Sequence, residues 1–112
     1  GFDGNLQAFP PELFEYMSNQ VRAISYLDSN SRKLRRILFA NAERTDFDSA
    51  GRILLPAFLR ESANLKGIAV VVGSGEYFEL WSPENWHTQQ TLLNDIEANE
   101  KRFSALDLKT LQ

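Results

Sequence analysis

The residues best placed to do chemistry are Asp48 and Arg52, an acid and a base separated by three small residues. Strand-favouring residues flank this stretch, so the pattern predicts an antiparallel hairpin over residues 46–55 with its turn at residues 49–51. Gly51 would supply the positive φ that such a turn requires. The Asp48 carboxylate could then accept hydrogen bonds from turn amides or from the Arg52 guanidinium.

Two interpretations of this pair remain open. In one, the pair only stabilises the turn, and it contributes at most about 1 kcal/mol because it lies at the surface. In the other, the hairpin is a narrow β-ribbon, and Arg52 reaches a groove of DNA, where arginine to guanine is the commonest specific contact.

Charge is distributed unevenly along the chain. The net charge is −3, from 12 Lys or Arg and 15 Asp or Glu in 112 residues. Bases and acids number one and four in residues 1–31, seven and three in residues 32–60, and four and eight in residues 61–112. The positive charge therefore surrounds the predicted hairpin. Such a basic patch can bind DNA even on an acidic protein, with a steep dependence on salt.

Residues 31–41 are predicted to form a short amphipathic helix. Three polar residues are available as its N-cap, namely Ser29, Asn30 and Ser31. Four cations lie outside its apolar face: Arg32, Lys33, Arg35 and Arg36. This basic surface is either simply solvated or makes contacts with phosphates or with a neighbouring subunit.

The rest of the pattern predicts a mixed α+β fold. Pro56 suits the first position of a helix that extends to about residue 65. The apolar run at residues 68–72 is expected to be a buried central strand, joined by a Gly-rich turn to a strand at Tyr77–Trp81. Ser82 and Pro83 then begin the next helix.

Catalytic and metal-binding patterns are not found in the sequence. His87 is the one histidine and there is no cysteine, so we expect no metal site, no cofactor and no catalytic residues. The segment Gly73-Ser74-Gly75 lacks the Lys-Ser/Thr pair of a phosphate-binding loop. Neither a membrane-spanning run nor a leader is recognisable. We therefore expect a cytoplasmic protein that is not an enzyme and has no small-molecule substrate.

The chain contains an internal repeat at an offset of 72 positions. Residues 1–24 align without gaps on residues 73–96, with few identities but matching apolar positions. Both copies read as a turn, a short strand and a helix that begins with Pro-Glu. The alternative is a chance similarity between two strand–helix units. If the repeat is genuine, the counterparts of Asp48 and Arg52 would precede Gly1, so we expect a fragment that lacks the first hairpin and helix.

Loss of that first half-repeat should leave apolar side chains without their neighbours. The residues expected to become exposed are Leu6, Ala8 and Phe9, or the residues that would otherwise pack against the missing part. Exposed apolar surface favours association, so we expect self-association or reduced stability.

The run from Arg35 to Trp86 resembles the second half of the MraZ family: RRILFANAERTDFDSAGRILLPAFLRESANLKGIAVVVGSGEYFELWSPENW. These are bacterial transcriptional regulators with two tandem swapped-hairpin, AbrB-like repeats, each with an Asp-x-x-x-Arg motif. The resemblance implies a swapped-hairpin β-barrel with flanking helices. Residues 1–31 would end the first repeat, and residues 32–112 would form the second.

The resemblance also implies a function. The family assembles into ring-shaped oligomers and binds G-rich direct repeats in double-stranded DNA, which represses a division and cell-wall gene cluster. Asp48, Gly51 and Arg52 map onto the second motif, and Arg44 is a fourth DNA-binding candidate beside it. This implies a nucleoid-associated homo-oligomeric repressor. The alternative is an oligomerisation or protein-interaction module that does not itself read DNA.

Overall fold

The computed structural model describes residues 2–106, and this part of the chain contains three strands and five helices. In chain order they are β1 (Leu6–Ala8), α1 (Pro11–Arg22), α2 (Ser29–Ala40), α3 (Ala57–Ser62), β2 (Val70–Ser74), β3 (Tyr77–Trp81), α4 (Pro83–Leu93) and α5 (Ile96–Ser104). The strands form one antiparallel sheet in the order β1-β3-β2. The mixed α+β fold is therefore confirmed. The sheet in this part of the chain is open, however, and is not the closed barrel that we expected.

The two copies of the internal repeat meet at the pairing of β1 with β3. The facing pairs are Leu6 with Leu80, Gln7 with Glu79, and Ala8 with Phe78. Gln7 and Glu79 are 72 positions apart, so the central pair joins two equivalent positions. A half-turn about the midpoint of that pair exchanges the two strands, because antiparallel pairing is symmetric. A local two-fold axis therefore relates the copies.

The flanking elements follow the same axis. The helices α1 and α4 begin at Pro11 and Pro83, because proline suits the first turn of a helix. These two residues are again 72 positions apart. Equivalent aromatic pairs close each strand–helix corner: Phe9 with Phe14 at 6.4 Å between ring centroids, and Trp81 with Trp86 at 5.6 Å. A short strand in the first copy that is related by symmetry to Tyr77–Trp81 is therefore observed as the repeat predicts, and the direct pairing of the two strands is a further finding.

The core is small and lies on one face of the sheet. Leu6, Leu80 and Ala63 are its buried members, and α3 and its flanking segments cover them. The half-buried residues packed against these three are Leu55, Leu59, Leu65 and Phe78. The expectation was wrong for the three named side chains, because Leu6 is buried and Ala8 and Phe9 are half-buried.

Three of the predicted elements differ in the structure. β2 lies at the edge of the sheet, with β3 in the centre, so the apolar run at residues 68–72 is not a buried central strand. The helix α2 begins at Ser29 because Asp28 is its N-cap and accepts a hydrogen bond from the Asn30 N–H. The helix α3 ends at Ser62, since the chain turns at Asn64 with a φ of 56°.

Candidate functional site

The Asp48 carboxylate organises the candidate turn. Its Oδ1 atom accepts from the backbone N–H groups of Ala50 at 2.9 Å and Arg52 at 2.8 Å. Its Oδ2 atom accepts from Nε of Arg52 at 3.0 Å. One side chain therefore fixes both the path of the backbone and the base of the Arg52 guanidinium.

Two backbone bonds close the same turn. The Gly51 N–H donates to the Asp48 carbonyl at 3.0 Å, and the Asp48 N–H donates to the Arg52 carbonyl at 2.8 Å. Gly51 has a φ of 77°, which other residues adopt only with strain, although no atom lies near enough to clash with an added Cβ. The prediction of a turn held by Asp48, Gly51 and Arg52 is correct.

The two arms of the predicted hairpin are not regular strands. Residues 43–55 are all described, and none of them belongs to a strand. Beyond the turn, the contact between the arms is a hydrogen bond from Thr45 Oγ1 to the Leu54 carbonyl at 3.3 Å. A lone two-stranded hairpin is only marginally stable in water. An open apolar groove of about 1430 Å³ lies between residues 43–54 and the strands β1 and β3. The prediction was therefore right for the turn and wrong for the strands.

The guanidinium of Arg52 points into solvent. The Arg52 side chain is 79% exposed, and among the described residues only its Nε is hydrogen-bonded. Its two terminal NH₂ groups are therefore available to a ligand, while the Asp48 contact restrains the orientation of the plane. Such a restrained fork can donate two parallel hydrogen bonds to one acceptor pair.

Asp48 stays ionised at neutral pH. The backbone N–H of Arg52 lowers the pKa of Asp48 most strongly, the N–H of Ala50 and the Arg52 side chain lower it further, and desolvation opposes them. A carboxylate that accepts several N–H bonds is stabilised in its charged form. The negative charge that orients Arg52 is therefore present throughout the physiological range.

Arg44 lies on the arm before the turn. Its Nη2 is 4.0 Å from Oδ1 of Asp46, and both side chains are almost fully exposed. An exposed pair at this distance contributes little to stability, so Arg44 is free to change partners.

The four cations of α2 divide into two pairs. Arg32 donates through Nη1 to the Tyr26 and Leu27 carbonyls at 2.9 and 3.0 Å. Arg35 donates through Nη2 to the Arg22 and Ile24 carbonyls at 3.0 and 2.8 Å. Both arginines therefore hold the connection between α1 and α2, a role that the sequence analysis missed.

Lys33 and Arg36 form the second pair of α2. Both are exposed, and neither makes a side-chain hydrogen bond within residues 2–106. The signal that separates the two pairs is the position of the α1–α2 connection. Arg35 binds carbonyls at the end of α1, as basic side chains often do, and Arg32 binds carbonyls further along the connection. This signal becomes visible only once the ends of α1 and α2 are known.

Buried polar contacts anchor the start of the chain to the sheet. Asn5 is buried and donates through Nδ2 to Glu79 Oε2 at 2.8 Å, and Glu79 also accepts from Trp81 Nε1 at 3.3 Å. Asn85 donates to the Gly4 carbonyl at 3.2 Å. These bonds join both copies of the repeat.

Residues 2–106 contain neither a metal-binding cluster nor a membrane-spanning helix. No group of three or more His, Cys, Asp or Glu residues there could hold a metal ion. In the same part of the chain, no helix has the length and apolar character needed to cross a membrane.

The family model and the similar proteins all indicate the same family. The family model described as "MraZ protein, putative antitoxin-like" matches residues 38–108. A "Transcriptional regulator MraZ" of Thermomicrobium roseum is 43% identical over 93 residues, which is 83% of this chain and 66% of the relative. Proteins of the same name from Roseiflexus castenholzii and Syntrophobacter fumaroxidans are each 38% identical, over 93% and 89% of this chain and 71% and 67% of their own lengths. The chain thus spans about two thirds of these relatives.

Proposed function

Since the chain belongs to the MraZ family, we propose that it is a transcriptional regulator that binds double-stranded DNA through the turn at Asp48 and Arg52. The observation that carries this proposal is the exposed Arg52 guanidinium, restrained by Asp48 at the tip of a protruding segment. The relatives' names, which describe transcriptional regulators, support the same role.

The geometry of the turn favours a base contact over a phosphate contact. The Asp48 charge partly cancels that of Arg52, so the pair attracts a phosphate less than a free arginine would. The carboxylate also limits the rotation of the guanidinium, which lowers the entropy cost of a two-hydrogen-bond contact. Guanine offers two acceptors, O6 and N7, that match this fork in the major groove.

Phosphate contacts are proposed for three cations on α2 and beside the turn that the fold leaves uncommitted: Lys33, Arg36 and Arg44. Their charges would supply affinity that is independent of sequence and falls with added salt. Arg32 and Arg35 are proposed to act on DNA only through the position of α2, because their guanidinium groups already bind carbonyls.

The finer parts of the proposal follow the family resemblance. The ligand would be G-rich direct repeats, and the effect would be repression of a bacterial division and cell-wall gene cluster. A cytoplasmic, nucleoid-associated homo-oligomer in the form of a ring, without enzymatic activity, would present several turns to repeated sites. Several weak contacts on one assembly raise the overall affinity through effective concentration.

A second candidate function is supported by the apolar residues beside the turn. Phe47 and Leu54 are both large and exposed on the arms that carry Asp48 and Arg52. Exposed aromatic and aliphatic side chains of this kind are typical of protein interfaces. In this alternative the segment binds another subunit, and Arg52 stabilises that contact.

The two candidates are separated by fluorescence anisotropy on labelled duplexes combined with sedimentation. One duplex carries G-rich direct repeats, and the other has the same composition in scrambled order. DNA reading predicts preference for the repeats, and this preference should survive in the double variant F47S/L54S. The interaction alternative predicts equal binding to both duplexes and a changed oligomeric state in the double variant.

A further inference from the structure

Asp48 binds all three backbone N–H groups that follow Ser49 in the turn. The Ala50 and Arg52 N–H groups donate to Oδ1 of Asp48 at 2.9 and 2.8 Å. The Gly51 N–H donates to the Asp48 carbonyl at 3.0 Å. A serine in a turn commonly binds its hydroxyl to one of the amides that follow it. In this turn, none of these amides is left for Ser49.

Ser49 therefore keeps an unused hydroxyl at the tip of the turn. The residue is exposed, and neither its hydroxyl nor its N–H makes a hydrogen bond within residues 2–106. Other serines in this part of the chain, such as Ser18 and Ser62, donate to a carbonyl three or four positions earlier. The Gly51–Asp48 bond closes a four-residue turn in which Ser49 is one of the two central residues. Its hydroxyl is thus available to a ligand that meets the tip.

The charges at the tip favour a base as the partner of this hydroxyl. Residues 46–52 contain two aspartates and one arginine. Ser49 follows Asp48 directly, and the pKa of Asp48 is lowered by the turn amides, so that the carboxylate is charged at neutral pH. A carboxylate this close to the hydroxyl repels a phosphate. The edge of a base carries no net charge and is not repelled.

We propose that Ser49 is a second residue that reads DNA, with its hydroxyl donating to N7 of a guanine in the base pair next to the one that Arg52 contacts. The inference rests on the proposed function, which places this turn in the major groove of a G-rich duplex. Guanine presents N7 and O6 there as acceptors. Successive base pairs are only about 3.4 Å apart, so one narrow turn can contact two of them. A single turn would then read two neighbouring G·C pairs.

The test combines S49A with G-rich duplexes in which 7-deazaguanine, which pairs normally but lacks N7, replaces one guanine at a time. By fluorescence anisotropy, we expect S49A to bind the unmodified duplex about threefold to tenfold more weakly, the effect of one lost hydrogen bond. At one guanine, 7-deazaguanine should weaken binding of the natural chain by the same factor and have no further effect on S49A. S49T keeps the hydroxyl and should behave as the natural chain does.

Ser74 provides the matched control, because it is also exposed and its hydroxyl makes no hydrogen bond within residues 2–106. S74A should bind both duplexes as the natural chain does, and all the serine variants should keep their melting temperatures. Effects of S49A and 7-deazaguanine that multiply at every guanine would overturn the inference. An equal loss of S49A binding on the scrambled duplex would also overturn it, since this result indicates a phosphate contact.

R52A on the same duplexes distinguishes this inference from the proposed function. DNA reading by Arg52 predicts an adjacent guanine at which 7-deazaguanine weakens the natural chain but has no further effect on R52A. If this guanine is found and none is coupled to Ser49, the inference fails and the proposed function stands. If no guanine is coupled to Arg52, the proposed function fails and the inference fails with it.

Discussion

The Asp48 carboxylate binds Arg52 twice, at its backbone N–H at 2.8 Å and at its Nε at 3.0 Å. Turn conformation and cation orientation therefore depend on the same side chain. A change at Asp48 should alter DNA binding through Arg52, even though Asp48 itself cannot attract a phosphate. This dependence leads to the first prediction.

D48N keeps an acceptor oxygen for the turn amides but loses the negative charge. The Arg52 guanidinium should then sample more orientations, because the amide NH₂ that replaces Oδ2 is a donor and cannot accept from the Arg52 Nε–H. We expect roughly tenfold weaker binding to the preferred duplex in anisotropy and an unchanged melting temperature. D46N is the matched control, since Asp46 contacts its cation only at 4.0 Å. An equal loss in both variants would assign the effect to net charge.

The pKa of Asp48 gives a prediction for pH. The pKa of Asp48 in the folded chain lies below the ordinary aspartate value of 3.8. The stabilisation of the turn is therefore complete above 3.8 and is lost as the pH falls through the lower folded pKa. We expect the turn to be unaffected between about pH 5 and pH 8. A carbon-detected NMR titration of the Asp48 carboxyl should give a midpoint below 3.8. A midpoint at or above the ordinary value would mean that the turn amides do not bind the carboxylate in solution.

Gly51 and Gly73 provide a matched test of backbone strain. Neither glycine has atoms near an added Cβ, but only Gly51 has a positive φ, at 77°. We expect G51A to destabilise the turn by about 1 kcal/mol. G73A should change stability by less than about 0.5 kcal/mol. Amide hydrogen exchange measures this effect, and we expect faster exchange at Ala50 and Arg52 in G51A. Unchanged exchange would show that the φ of 77° is not required.

Arg35 and Arg36 are adjacent on α2, but their substitution should change different properties. Loss of Arg35 should change stability, and loss of Arg36 should change DNA binding. R35A removes two hydrogen bonds to the end of α1 and should lower the free energy of unfolding by about 1–2 kcal/mol in urea. R36A should change stability by less than about 0.5 kcal/mol. It should instead reduce the slope of log affinity against log salt by about 1. The reverse pattern would mean that Arg35 contacts DNA and Arg36 holds the fold.

Local features were predictable from the sequence. The turn at Asp48 and Gly51 depends on residues within five positions of each other, and Ser82 with Pro83 begins α4 as the cap pattern indicates. The repeat was visible because equivalent positions keep their apolar character. Its geometric counterpart, the Gln7–Glu79 pair, is the centre of the β1–β3 ladder.

Features that depend on distant parts of the chain were not predictable. The apolar run in β2 would have the same sequence pattern in a central strand and in an edge strand. Only the strand order shows that β2 lies at the edge. The arms beside the turn have strand-favouring residues, but no strand within residues 2–106 pairs with them. The carbonyl contacts of Arg32 and Arg35 required the ends of two helices to be known.

The central claim is that Arg52 reads DNA, and the direct measurement is the affinity of R52A for the G-rich duplex. Arg60 on α3 is the matched control, as another arginine on the same stretch of chain. We predict that R52A loses about 1–3 kcal/mol of binding to the G-rich duplex and keeps its weaker binding to the scrambled duplex. R60A should retain the preference, and both variants should keep their melting temperatures. Unchanged affinity in R52A, with a disrupted oligomer, would contradict DNA reading and assign Arg52 to a subunit contact.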